Sequence, residues 1–175
     1  MEELTLIRIS RQHLREIEAY RAAFPADRPQ VTWNRDRIPG LDHLEEYGST
    51  EAWLAFCDSM GGKMAWYLTQ RLGDGKIVGA VVLRARLEYD DDDPEFCSHI
   101  GYSIRPDERR KGYAAHQLRL CLDKARALGL SKVRLICSDT NEGSKRTILR
   151  NGGIYLDTLH GEESGMNVNR YDIRL

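Results

Sequence analysis

The spacing of apolar residues changes period several times along the chain, and each change marks an element. Residues 5–9 read as a short strand. Over residues 11–24 the spacing is helical, with Leu14, Ile17 and Tyr20 on successive turns. Pro25, Pro29 and Pro39 then interrupt regular structure, so residues 25–49 read as loop. Thr50 suits the N-cap of a second helix whose apolar face is Trp53, Leu54, Phe56 and Cys57. Residues 64–72 and 77–87 have strand character and flank Gly73-Asp74-Gly75, an Asp-Gly turn that tolerates the positive φ a tight hairpin needs. Residues 96–104 read as another strand. The clearest helix spans residues 112–128, where Ala114, Leu118, Cys121, Leu122, Ala125 and Leu128 recur at threes and fours before Gly129. A buried strand at 132–137, a helix at 141–150 ended by Asn151-Gly152-Gly153, and strands at 154–159 and 166–175 complete the pattern.

This order predicts an α/β (α+β) chain with a mixed sheet and helices on both faces. With 175 residues, no internal repeat and no Pro/Gly/Ser-rich linker, one domain over residues 1–175 is expected. A hydrophobic fraction of 41% and a charged fraction of 30% describe a globular protein. The formal net charge of -1 supplies no field for nucleic acid, so phosphate recognition has to be local. No apolar run is long enough for a membrane span, and the first residues lack the basic and apolar regions of a secretory signal, which points to the cytoplasm. Cys57, Cys97, Cys121 and Cys137 form no C-x-x-C pair and no metal-ligand spacing. They read as reduced thiols behaving as small hydrophobes, with a catalytic cysteine as the lesser alternative.

The strongest chemical signal is the segment from Ser103 to Ala114. A strand ends at Ile104, Pro106 stops it, and a helix starts near Gly112. A helix start presents free N–H groups and a partial positive charge, which together hold an anion. Gly112 leaves space where a phosphate approaches the backbone, Ala114 keeps the next position small, and Arg109, Arg110 and Lys111 add three cations beside Tyr113. As an isolated string this is also what a solvated basic loop looks like; the strand–turn–helix context raises its weight.

Arg109, Gly112 and Ala114 match the Q/R-x-x-G-x-G/A pattern of the GNAT superfamily of N-acetyltransferases, which the chain resembles most over residues 76–160. Asn141 followed by Ser144 is similar to the family's helix after the fifth strand, where an asparagine meets the pantetheine arm. The run from His99 to Pro106, Asn151-Gly152-Gly153, and Arg170-Tyr171-Asp172-Ile173 look like a branch of predicted acetyltransferases. The resemblance implies a mostly antiparallel GNAT-type sheet whose parallel fourth and fifth strands splay apart. It implies acetyl-CoA (coenzyme A) as cofactor, with acetyl transfer to a primary amine by direct attack in a ternary complex. The acceptor would be a small-molecule or peptide amine, and a homodimer would suit relatives of this kind.

In that frame a backbone N–H near Tyr102, Ser103 or Ile104 would polarise the thioester carbonyl. His99, within the fourth strand, is the candidate base for the acceptor amine, against the plainer reading of a histidine satisfied by a strand hydrogen bond. Ser98 and Glu95 could hold a water instead. The family's tyrosine acid would fall on Ile148, so the proton donor to the leaving thiolate moves to Tyr155 or Tyr102, or is dispensable. The acidic run at Asp90-Asp91-Asp92-Asp93 is by default solvated, and could draw in a cationic acceptor. Trp33, Glu45, Glu46, Tyr47, Glu162 and Glu163 are candidates for the acceptor side, whereas Trp53 and Trp66 read as core. The competing function is a non-catalytic acyl-CoA-binding or regulatory module on the same fold; a P-loop protein is excluded because no G-x-x-x-x-G-K-S/T is present.

Overall fold

A computed structural model describes residues 2–25, 38–87, 97–161 and 165–175. Asp90 to Asp93, Glu95, Trp33, Glu162 and Glu163 lie outside the described residues. Strands β1 (Leu4–Arg8), β2 (Met64–Arg71), β3 (Ile77–Arg84) and β4 (Ile100–Ile104) form one antiparallel sheet in that order. Strands β5 (Lys132–Ser138), β6 (Ile154–His160) and β7 (Asn167–Arg174) form a second, in the order β5-β7-β6. The helices are α1 (Leu14–Ala22), α2 (Thr50–Ser59), α3 (Tyr113–Ala127) and α4 (Glu142–Arg150). Among the described residues no helix is long and apolar enough to cross a membrane.

Successive strand residues point to opposite faces, so one sheet builds two cores. Trp66, Leu68, Ala80 and Val82 pack with Ile17, Tyr20, Trp53 and Leu54 of α1 and α2. Ala65, Val81, Leu83 and Ile100 pack with Leu118, Cys121, Leu122 and Ala125 of α3, and this core continues into Val133, Leu135, Tyr171 and Ile173 of the second sheet. Trp53 and Trp66 are core as expected. Cys57, Cys121 and Cys137 are buried, and burial raises their thiols to about 12, 12 and 11, which removes the nucleophilic thiolate.

Two boundaries differ instructively. Ser49, not Thr50, caps α2: its extended backbone lets Oγ accept the Ala52 N–H at 3.1 Å, and Thr50 is already helical and buried. Residues 11–24 divide into a 3-10 turn (Arg11–His13) and α1. The turn between β2 and β3 forms as its sequence requires, with Gly75 at φ 72.

The two sheets meet at β4 and β5, which share no ladder. Their contact is at the strand starts. The His99 N–H donates to the Arg134 carbonyl at 2.9 Å, and the Arg134 N–H donates to His99 Nδ1 at 2.9 Å. Three residues further along each chain, the Tyr102 phenol is within electrostatic range of Cys137. Both contacts advance in the same sense, so the strands run parallel and part beyond the His99–Arg134 junction.

Candidate active site

The phase of the β3–β4 ladder decides what faces the gap. The Arg84 N–H donates to the His99 carbonyl at 2.8 Å and the Arg105 N–H to the Val78 carbonyl at 3.0 Å. In an antiparallel pair such bonds fall on alternate residues, so the His99 carbonyl and the backbone groups of Gly101 and Ser103 turn to β3, as the Arg105 N–H does. Ile100, Tyr102 and Ile104 turn theirs away from it, toward β5. Ile100 is taken up locally by the Ser98 hydroxyl, and the Ile104 carbonyl accepts from Arg109 Nε at 3.2 Å. The N–H groups of Tyr102 and Ile104 and the Tyr102 carbonyl therefore open onto the gap with no ladder to take them up. Ser103 is a correction to the expected trio. Its backbone faces β3, and its hydroxyl donates to the Pro39 carbonyl at 2.5 Å and pairs with Tyr20 Oη at 3.0 Å.

At the end of β4 the chain makes a 3-10 turn (Pro106–Glu108) and enters α3 through Gly112. Arg110 and Gly112 have φ of 63° and 83°. A Cβ on Gly112 would meet nothing within 4 Å, so the left-handed backbone, not crowding, requires glycine, and the space over it is open. This is room for an anion at the start of a 15-residue helix.

The three cations are not equivalent. Arg109 reaches back to β4 and lies over the Phe24 ring at 5.9 Å. Lys111 Nζ sits 2.7 Å from Glu108. Arg110 has no hydrogen-bond or ion-pair partner among the described residues. Tyr113 points inward, 3% exposed, with Oη bonded by Arg71 at 3.1 Å, and Ala114 packs on the small cluster of Leu4, Val78 and Ile104. Those two positions shape the turn from within.

Glu108, which the sequence reading passed over, organises this turn. Only 3% exposed, it takes Lys76 at 2.5 Å, Lys111 at 2.7 Å and Arg71 at 3.2 Å, and those bonds, Lys111's first, hold its carboxyl below the usual range. An acidic residue in a basic turn was the available signal.

His99 is half-buried and serves as the junction described above. Burial lowers its pKa, so the ring is neutral at pH 7, and Nδ1 spends its lone pair on the Arg134 N–H. The proton then resides on Nε2, leaving no free lone pair for an amine proton. Geometry thus supports the strand-junction reading over the base.

Tyr102 Oη pairs with Ser144 Oγ at 2.9 Å, bridging β4 to α4 across the gap. Burial, its largest influence, raises the phenol well above its ordinary pKa, so it keeps its proton. Asn141 caps α4, its side-chain oxygen accepting the Ser144 N–H at 3.0 Å. Ile148 is fully buried. Tyr155 stands on the edge strand β6, with β7 between it and β5; it is half exposed, bonds Thr158 at 2.7 Å and stacks edge-on against Tyr171. There it lines an open cleft of about 380 Å³ with Lys145, Leu149, Asn169 and Tyr171, apart from the β4–β5 gap. Tyr155 is thus corrected as a proton donor: the strand order carries it away.

On the opposite face, Glu45 pairs with Arg21, Glu46 with His43 at 3.0 Å, and Tyr47 stacks on Phe56. Among the described residues no group of three His, Cys, Asp or Glu side chains is placed to hold a metal ion.

The sheet is thus split between β4 and β5, beside a positive-φ turn that leads from the end of β4 into α3. Residues 3–154 match the model of the acetyltransferase (GNAT) domain, and the chain belongs to this family. It is an acetyl-CoA-dependent N-acyltransferase.

Solved structures share the fold at low identity. The ribosomal L7/L12 α-N-protein acetyltransferase RimL in complex with coenzyme A superposes with a TM-score of 0.73 at 15% identity, covering 98% of this chain and 94% of that one. YncA of Salmonella typhimurium with its cofactor acetyl-CoA gives 0.70 at 13%, covering 98% and 94%. A variant of the spermidine N-acetyltransferase SpeG of Vibrio cholerae gives 0.68 at 18%, covering 97% and 94%. No curated protein sequence matches the chain.

Proposed function

We propose that this enzyme transfers the acetyl group of acetyl-CoA to a primary amine by direct attack in a ternary complex. The observation that carries the reading is the unladdered backbone of Tyr102 and Ile104 opening onto the gap one turn ahead of the positive-φ entry to α3. Acetyl-CoA supplies the activated acyl group as a thioester. Around it, the Tyr102 or Ile104 N–H is aimed where a carbonyl oxygen gains charge, a role that fixed backbone donors fill without reorganisation. The N–H groups at the start of α3, with Arg110, take the pyrophosphate. Tyr102, protonated and coupled to Ser144, is the proton donor for the departing thiolate. His99 positions β4 against β5, and the acceptor amine loses its proton to water or through its own ionisation equilibrium.

RimL and SpeG are named for a protein N-terminus and for spermidine, so the acceptor panel should contain an N-terminal peptide and a polyamine. Exposed Ile154, Tyr155 and Leu156 on edge strand β6 support a second copy of this chain as a partner. The test is release of coenzyme A thiol from acetyl-CoA across the panel. Turnover with at least one amine is expected. Coenzyme A binding with no turnover would return the chain to the acyl-CoA-binding alternative, and no binding at all would overturn the site.

A further inference from the structure

The face of the first sheet that carries α1 and α2 holds a carboxylate the motif does not include. Asp42 is 8% exposed and gripped from several elements. Its backbone carbonyl accepts Nε1 of the fully buried Trp53 on α2 at 2.9 Å, and Oδ1 accepts the Gly40 N–H at 3.2 Å. Oδ2 forms an ion pair with Arg84 Nη2 on β3. The carboxylate lies over Gly101 of β4, 3.5 Å from where a Cβ would stand, at ordinary van der Waals distance.

Arg84 carries the grip onward. Its Nη1 donates to the Ser98 carbonyl at 3.1 Å and its backbone N–H to the His99 carbonyl at 2.8 Å. His99 is in turn bonded twice to Arg134 of β5. An unbroken hydrogen-bonded chain therefore runs from Trp53 through Asp42, Arg84 and Ser98-His99 to Arg134. It links the segment after α1 to the junction where the two sheets part.

We propose that Asp42 and Arg84 are a positioning pair that sets the opening between β4 and β5. The pair touches none of the cofactor-turn residues. It acts through Ser98 and His99, whose placement fixes the angle at which Tyr102 and Ile104 leave the junction. A shift of the reacting groups by a fraction of an ångström is costly in rate although the cofactor still binds. The functional part of the inference rests on the acetyl-transfer reading above; the geometric part does not.

Two measurements test it. Asp42→Asn removes the charge and keeps the shape, and Arg84→Lys keeps the charge but cannot hold Asp42 and Ser98 together. Each is expected to speed amide exchange at Arg134 and His99, to lower kcat by about 10- to 100-fold and to leave the Kd for coenzyme A unchanged. In the double variant Asp42→Asn with His99→Ala, which removes the acceptor of the Arg134 N–H, the losses in kcat should be clearly less than additive, because both act through one chain. Unchanged exchange at Arg134 and His99 in whichever variant folds would overturn the proposal, as would additive losses. If the parent acetylates no amine, the functional reading falls, and the exchange result still decides whether the pair holds the junction.

Discussion

The backbone of Arg134 and the ring of His99 are joined by a 2.9 Å bond in which the N–H donates to Nδ1, and the His99 N–H returns a second bond to the Arg134 carbonyl. These two bonds are the hinge of the split sheet, and they reverse the role that the position of His99 first suggests. If the ring is a junction, His99→Asn, which offers a short acceptor, should keep most turnover, and His99→Ala should lose about 1–3 kcal/mol of stability through an unpaired buried N–H. A lost general base would instead lower kcat/KM by roughly 10²–10⁴-fold in both variants. Urea titration and steady-state kinetics on the two proteins separate the cases.

The same ring gives a pH signature. Burial lowers the folded pKa of His99 below its ordinary 6.5, and protonation at Nδ1 would break the bond to Arg134. As pH falls below 6.5 the unfolded chain takes up the proton first, so stability present above that value is lost on the way down through the folded pKa. The parent should lose melting temperature between pH 7 and the folded pKa, and His99→Asn should lose less.

Tyr102→Phe removes the hydroxyl bonded to Ser144 without opening a cavity. It should lower kcat by about 10²-fold, the low end for a lost proton donor because a thiolate leaves readily. Calorimetry should give coenzyme A affinity close to the parent's. Unchanged kcat would release Tyr102 from this role.

Gly112→Val places a β-branched residue at φ 83°, where L-residues pay roughly 1–2 kcal/mol, and fills the open space over the turn. The Kd for coenzyme A should rise at least about 10-fold, with the circular dichroism spectrum retained. Parent-like affinity would mean that the pyrophosphate lies elsewhere.

Arg110→Ala and Lys111→Ala should differ although both delete a cation from one turn. Lys111 is already committed to Glu108, whereas Arg110 is not. Loss of a charge-assisted bond of about 1.5–3 kcal/mol should raise the coenzyme A Kd by roughly 10- to 100-fold for Arg110→Ala. Lys111→Ala should change it less. Equal effects would show that Glu108 releases Lys111 when ligand binds.

Much of this molecule is written locally. The 3.6-residue recurrence from Ala114 to Ala125, the Asp-Gly hairpin and the proline after Ile104 each state their element within a few residues, because helix faces, tight turns and strand ends depend on near neighbours. The run of Arg109, Gly112 and Ala114 could be read as an anion turn for the same reason: backbone freedom and charge are properties of the segment itself.

What the sequence could not state is which way groups face once strands pair. Ser103 and Tyr102 are adjacent, yet the phase of the β3–β4 ladder sends Ser103 to Tyr20 and Pro39 and leaves Tyr102 open to the gap. Tyr155 and Tyr102 each offer a phenol in the sequence, and the order β5-β7-β6 sets Tyr155 on an outer edge. Asp42 and Arg84 are 42 positions apart and meet only because the segment after α1 lies over Gly101. His99 looked like a base in a strand, and its partner Arg134 is 35 residues away. The local sequence determined the elements and the positive-φ turn before α3. Tertiary packing decided which lone pairs and N–H groups remain free for chemistry, because each is consumed or spared by a partner distant in the chain.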